Sequence, residues 1–219
     1  MNYAIILAAG KGKRFGREKQ FATVRRKPIL YYAIRVFQQS SDIDKIIVVV
    51  LKKHLNAVKA LVKKYNFNKV TELVIGGKKR QDSVYNALKV LPDKGYVAIH
   101  DAVRIGLSKE LITLGLRACR KYKACIPVIP IQDTVKIVRK RFVQRTLDRS
   151  QLFLAQTPQF FEIGLLKRAY KKAYQEKYYA TDDAQLLERI KFRVYTIRGL
   201  KQNLKITDPL DLRIVKCLI

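Results

Sequence analysis

Side chains that bind metals or form disulfides are scarce in this chain. Its 219 residues include two histidines and three cysteines. His54 and His100 are too few for a histidine-rich metal centre. Cys119, Cys125 and Cys217 are odd in number and lack the spacing of zinc ligands, so they read as reduced, partly buried thiols. Acidic residues are scarce as well: 17 Asp and Glu stand against 46 Lys and Arg, a net charge of +29. Such a surplus attracts polyanions. The cations are spread along the whole chain, however, and are not gathered on one element beside exposed aromatics, so no dedicated nucleic-acid partner is expected. No apolar run reaches the roughly 18 residues that a membrane span needs. The N-terminus enters an apolar strand directly and lacks a basic start and a small-residue cleavage site. The protein is therefore expected to work in the cytoplasm, without membrane attachment.

What is present is a core. Hydrophobic residues make up 48%, enough for one large α/β domain. Tyr3–Leu7 is a short buried strand. Pro28–Phe37 is a helix. Ile46 to Val50 is a β-branched run of the kind buried on both sheet faces. Leu55–Lys64 shows helical spacing, Val70–Ile75 is a strand, Arg80–Val90 a helix, and Tyr96–His100 a strand. Ser108 caps a helix reaching about Lys121. Strand and helix in alternation predict a mostly parallel, Rossmann-like sheet with helices on both faces. The pattern breaks after the strand Ile126–Ile131. Val135–Val138 and Phe142–Thr146 flank Arg139, Lys140 and Arg141 and predict a projecting β-hairpin arm. Leu154–Phe161 returns to the sheet, Ile163–Lys177 and Thr181–Arg189 are helices, and Thr181 caps the second. Arg193–Ile197 and Leu204–Ile206 are short strands, and Pro209 opens the last helix. The expectation is one domain, 1–219, with the arm inserted at about 133–153.

The first strand leads into Ala8, Ala9, Gly10, Lys11, Gly12, Lys13 and Arg14. Small residues let the backbone approach a ligand closely, and consecutive N–H groups can face phosphate oxygens. Lys13, Arg14 and Lys19 add positive charge there. The dinucleotide fingerprint is absent, because Phe15 stands where its third glycine belongs and the following region is basic. The Walker ending is absent too. The residues predict a site for nucleotide phosphates.

This segment resembles the signature of the sugar-nucleotide and polyol-phosphate nucleotidyltransferases. Later segments narrow the resemblance to the 2-C-methyl-D-erythritol 4-phosphate cytidylyltransferase family. They are Lys19-Gln20-Phe21 with Lys27-Pro28-Ile29-Leu30, Gly76-Gly77 with Arg80 and Ser83-Val84, and His100-Asp101-Ala102-Val103-Arg104. Asp133-Thr134-Val135-Lys136, Asp148-Arg149-Ser150, Ala155-Gln156-Thr157-Pro158-Gln159, Thr181-Asp182-Asp183-Ala184 and Asn203-Leu204-Lys205 follow in the same order. The chain departs from the family pattern in places. Glu18 stands for a proline, the loop between Arg14 and Lys19 is shorter, Lys78 replaces an acidic residue, and Ile105 replaces a proline. Val103 is reminiscent of the ribitol-5-phosphate cytidylyltransferases, which leaves ribitol 5-phosphate as an alternative acceptor, and the net positive charge leaves a nucleic-acid-binding protein on the same fold as a second, lesser alternative.

The resemblance implies CMP transfer from CTP to 2-C-methyl-D-erythritol 4-phosphate with release of pyrophosphate, in the non-mevalonate route to isoprenoids. It also implies Mg2+ and a homodimer built through the arm. Arg14, Lys19 and Lys205 are the expected catalytic cations around the triphosphate. Ala8, Ala9, Gly10, Gly12, Gly77 and Ser83 are expected to hold CTP, although Ser83 also reads as an ordinary helical serine. Asp101, at the carboxyl end of a parallel strand, is the expected carboxylate for Mg2+, ligating directly or through water. Asp101, Arg104, Thr134, Arg149, Thr157 and Thr181 are expected to meet the acceptor, with Thr134 and Arg149 donated by the partner's arm. Asp182 and Asp183 read as first-turn helix carboxylates.

Overall fold

The structure, a computed structural model, describes residues 1–10 and 18–218. Gly12 and Arg14 lie outside the described residues. Seven helices and fourteen strands follow one another among those described. β1 (Asn2–Leu7), β4 (Lys45–Val50), β5 (Val70–Ile75) and β6 (Tyr96–Asp101) are parallel neighbours in the order β6-β1-β4-β5. β12 (Gln159–Glu162) runs antiparallel beside β6 and joins it to β8 (Ala124–Pro130). β11 (Phe153–Ala155) and β13 (Tyr195–Arg198) complete the far edge on β8.

Alternation along the central strands divides the core. Ala4, Ile6, Ile46, Val48 and Ala98 face α1 (Ile29–Gln38), α2 (Leu55–Lys64) and α4 (Lys109–Tyr122). Tyr3, Ile5, Ile47, Val49, Val97 and Ile99 face α3 (Arg80–Lys89), α5 (Ile163–Gln175) and α6 (Asp183–Arg189). A slip of one residue would exchange the two sets, and with both faces covered the register is firmly specified. The fold is therefore the expected α/β Rossmann-like sheet. Among the described residues no helix is long and apolar enough to cross a membrane.

Several boundaries differ from the sequence reading. Leu154–Phe161 is two strands, β11 on β8 alone and β12 between β6 and β8, because Pro158 has no N–H to offer a ladder. Helix α6 is capped by Asp182, whose carboxylate accepts from the Gln185 N–H at 3.0 Å, and not by Thr181. Thr181 instead donates its N–H and hydroxyl to Gln185 Oε1. Two small pairings were not foreseen: the hairpin of β2 (Thr23–Val24) with β3 (Lys27–Pro28), and the bridge of β7 (Arg104–Ile105) to β14 (Leu204–Lys205), the strand expected at Leu204–Ile206. A last helix, α7 (Pro209–Leu218), packs Leu212 and Val215 against Ile105 and Ile206. β9 (Lys136–Arg139) and β10 (Phe142–Thr146) form the hairpin within the segment expected to project, and all their residues are exposed.

Candidate active site

The site forms where β1, β5 and β6 end, the crevice in which parallel α/β sheets bind ligands. Ala8 is buried, and its N–H donates to Val49 O at 2.7 Å, so the chain leaves β1 in a fixed direction. Gln20 is buried beneath the loop and donates to Ala8 O at 3.0 Å and Gly10 O at 3.2 Å. After β5, Gly76 passes so close to Ala9 that a Cβ would lie 2.4 Å from the Ala9 Cβ. At Gly77 a Cβ would sit 2.3 Å from Asp82 Cβ, so only glycine lets this turn press on the start of α3. Ser83 is buried rather than on the helix surface. Its hydroxyl accepts from the Gly77 N–H and donates to Lys79 O, both at 3.1 Å.

These segments enclose a cleft of about 410 Å³. Of the residues predicted for it, Ala8, Ala9, Gly10, Lys19, Gly77, Ser83, Asp101 and Lys205 line its wall. Lys78, Lys79 and Arg80, to which the sequence assigned no role, line it too. Among the described lining residues five are cationic and Asp101 alone is acidic. Lys19 arrives from a short 3-10 helix, Lys19–Phe21, and donates to Ile206 O at 2.9 Å. Lys205 is brought in by the β7–β14 bridge, which pairs it with Arg104.

Asp101 holds the floor of the cleft. Its Oδ2 accepts from Lys205 Nζ at 2.7 Å and its Oδ1 from Arg80 Nε at 3.2 Å. Burial alone would push this carboxyl up, but Arg80 and Lys205 prevail and hold it well below the usual carboxylate range. Arg80 reaches past Asp101 to Asp183, with Nη1 2.8 Å from its Oδ2. Behind Asp101, Thr157 Oγ1 accepts from the Asp101 N–H at 3.1 Å and lies 3.1 Å from His100 Nδ1. The hydroxyl has one proton, so it donates to Nδ1, and His100 carries its own proton on Nε2 towards Arg104 O, 3.4 Å away. Burial pushes His100 down to about 4, so it is neutral at pH 7.

A model of the 2-C-methyl-D-erythritol 4-phosphate cytidylyltransferase family matches residues 2–219. A protein of that name from Clostridium kluyveri is 43% identical over 98% of this chain and 95% of its own. One from Dictyoglomus thermophilum is 44% identical over 95% of this chain and 92% of its own. The crystal structure of 4-diphosphocytidyl-2C-methyl-D-erythritol synthase from Anaerococcus prevotii superposes with a TM-score of 0.88 at 30% identity, covering 100% of this chain and 95% of that one. The chain belongs to the 2-C-methyl-D-erythritol 4-phosphate cytidylyltransferase family.

The residues that the family resemblance assigns to the acceptor lie differently from those assigned to CTP. Thr157 is buried, with its hydroxyl committed to His100 and the Asp101 N–H. Thr134, Arg149 and Thr181 are exposed and line neither the cleft nor the neighbouring cavity of about 390 Å³. Arg149 donates to Gln132 O on its own arm. Arg104 lines that neighbouring cavity, donates to Asn203 O at 3.0 Å and to Ala155 O at 3.4 Å, and keeps a buried Nε without a partner among the described residues.

The family resemblance also implies Mg2+, which the donor set here does not fit as a protein-held ion. Both Asp101 oxygens already face cations. Among the described residues no group of three or more His, Cys, Asp or Glu is placed to hold a metal.

Proposed function

We propose that the cleft floored by Asp101 is where cytidylyl transfer takes place, with Lys19 and Lys205 as its described catalytic cations. The chain is a cytidylyltransferase of the isoprenoid precursor pathway. It transfers CMP from CTP to 2-C-methyl-D-erythritol 4-phosphate, giving 4-diphosphocytidyl-2-C-methyl-D-erythritol and pyrophosphate. An oxygen of the acceptor phosphate attacks the α-phosphorus of CTP, and the bond from that phosphorus to the pyrophosphate oxygen breaks. The nucleophile is already ionised at pH 7, so no general base is required. The main barrier is repulsion between two anions, which positioned cations reduce. Five cations lining one cleft beside a single carboxylate carry this reading.

In this assignment Ala8, Ala9, Gly10 and Gly12 admit the nucleotide, and Gly77 with Ser83 shapes the cytosine pocket. Arg14 joins Lys19 and Lys205 on the phosphates. No residue of the cleft is assigned to Mg2+, since both Asp101 oxygens are committed to Arg80 and Lys205. Asp101 meets the acceptor from the floor of the cleft and Arg104 from the neighbouring cavity, with Thr157 supporting Asp101 from behind, while Thr181, which lines neither, is assigned to the acceptor by the family resemblance alone. Thr134 and Arg149 reach the acceptor phosphate of the partner subunit, since on their own chain they stand away from the cleft. The functional unit is then a homodimer. Its substrates are small soluble anions, which suits the cytoplasm. The test is acceptor-dependent pyrophosphate release from CTP. Release is expected with 2-C-methyl-D-erythritol 4-phosphate, and higher turnover with ribitol 5-phosphate would overturn the assignment. Arg14→Ala is expected to lower turnover at least about a hundredfold, the scale of one lost transition-state contact.

A further inference from the structure

We propose that Arg80 is a positioning residue for the transfer reaction, aiming Asp101 and governing how tightly it holds Lys205. The inference rests on the cleft being the transfer site and adds a second tier of residues to it.

Arg80 opens α3 and touches two carboxylates that come from different elements. Its Nε reaches Asp101 Oδ1 at 3.2 Å and its Nη1 reaches Asp183 Oδ2 at 2.8 Å. A guanidinium is planar and rigid, so pinning one nitrogen sets the direction of the others. The pin is firm. Asp183 is 1% exposed, and its Oδ1 accepts from the buried Tyr170 hydroxyl at 2.5 Å. Its backbone N–H and that of Ala184 donate to Gln159 Oε1, both at 3.2 Å. Tyr170, Asp183 and Gln159 do not line the cleft. They form a buried relay whose exposed end is Arg80 Nε on Asp101.

The charges show what the relay does. Asp101 and Asp183 are balanced by Arg80 and Lys205. Remove Arg80, and two carboxylates are left with one ammonium. Asp101 then loses the contact that aims its Oδ1 and keeps Lys205 as its hydrogen-bonded cation, with Arg104 acting from farther off, so that it competes with the triphosphate for Lys205. The extra negative charge also stands in a cleft that must receive two anions. Losing Arg80 therefore weakens the step that depends on Lys205 more than it weakens the docking of CTP.

The experiment measures kcat by acceptor-dependent pyrophosphate release and CTP affinity by titration calorimetry. It compares the full-length wild type, Arg80→Gln, Asp101→Asn and the double variant. Arg80→Gln is expected to lower kcat about thirtyfold while CTP affinity stays within about threefold. In the Asp101→Asn background the same change is expected to cost less than about threefold, because its target is gone. Arg80→Lys is expected to remain about tenfold slow, since one ammonium cannot serve both carboxylates. Tyr170→Phe, which leaves every cleft residue in place, is expected to lower kcat several-fold at unchanged CTP affinity, and it stands in if Arg80→Gln does not fold. The proposal is overturned if the Arg80 and Asp101 effects multiply, if Arg80→Lys restores full rate, or if CTP affinity falls in parallel with kcat. A wild type without turnover would instead reject the transfer site itself.

Discussion

Lys205 shows how one side chain depends on residues far away in sequence. It reaches the cleft through a bridge of two residues per strand, and its ammonium rests on Asp101, 104 positions earlier. On the proposed assignment Lys205→Ala removes a transition-state cation, and it leaves Arg80 as the hydrogen-bonded cation on Asp101. Turnover is expected to fall at least about a hundredfold, and a loss below tenfold in pyrophosphate release would count against its role. His100, the neighbour of Asp101, carries a different prediction. It is fully buried, and burial takes its imidazole from the ordinary 6.5 to about 4. Between those values the unfolded chain binds a proton that the folded chain refuses. Stability is therefore present above 6.5 and is lost as pH falls, by about 3 kcal/mol at pH 4 from this group. His100→Gln keeps an acceptor for Thr157 and a donor for Arg104 O. Urea unfolding of the variant is expected to lose about 3 kcal/mol less than wild type between pH 7 and 4, and parallel curves would refute the assignment.

At the scale of elements, the arm has an unusual surface. Val138 and Val143 are paired on one face, while Ile137 and Phe142 stand on the other, and all four are exposed. A two-stranded hairpin is marginal in water by itself, and apolar side chains on both faces call for cover on both. A second copy supplies that cover if the arms pack together. Phe142→Asp combined with Val138→Asp is expected to shift the protein towards monomer in light scattering. Specific activity should fall with it if Thr134 and Arg149 complete the partner's cleft as proposed. A variant that stays dimeric, or a monomer with full activity, would refute the composite site. The hairpin was legible in the sequence because each strand keeps four or five residues of β-rich pattern. The strand at Leu204–Ile206 was legible too, but its partner β7 was not, since two residues are too few for any periodicity to register. That Ala8, Ala9, Gly10, Lys19 and Lys205 share one cleft was legible through ordered motifs. Arg80 stood inside one of those motifs but drew no role, because its partners lie 21 and 103 positions away. Thr157 and Ser83 were noticed as hydroxyls, but a motif does not reveal that a hydroxyl is already spent inside the protein. Thr181 was taken for a helix cap because it begins a helical pattern, and the carboxylate of Asp182 took that place.

For the molecule as a whole, the shortage of acid decides the response to salt. Even if all 17 acidic side chains were paired, 29 cations would remain in excess. Their repulsion opposes compactness, and their summed field draws anionic substrates inward. Salt weakens both effects, because the screening length falls from about 10 Å at 0.1 M to about 3 Å at 1 M. The two consequences have opposite signs. Relief of self-repulsion is expected to raise Tm by a few degrees over that range, corresponding to roughly 1 kcal/mol for a chain of this size. Loss of attraction is expected to lower kcat/KM for CTP at least about threefold, while kcat at saturating substrate changes less, because capture rather than chemistry is slowed. Sodium and potassium chloride should act alike if the effect is screening. If both Tm and kcat/KM stay flat, the surplus is neutralised locally. If kcat falls as steeply as kcat/KM, salt is acting on the cations of the cleft, and attraction over distance is not the reason for the surplus.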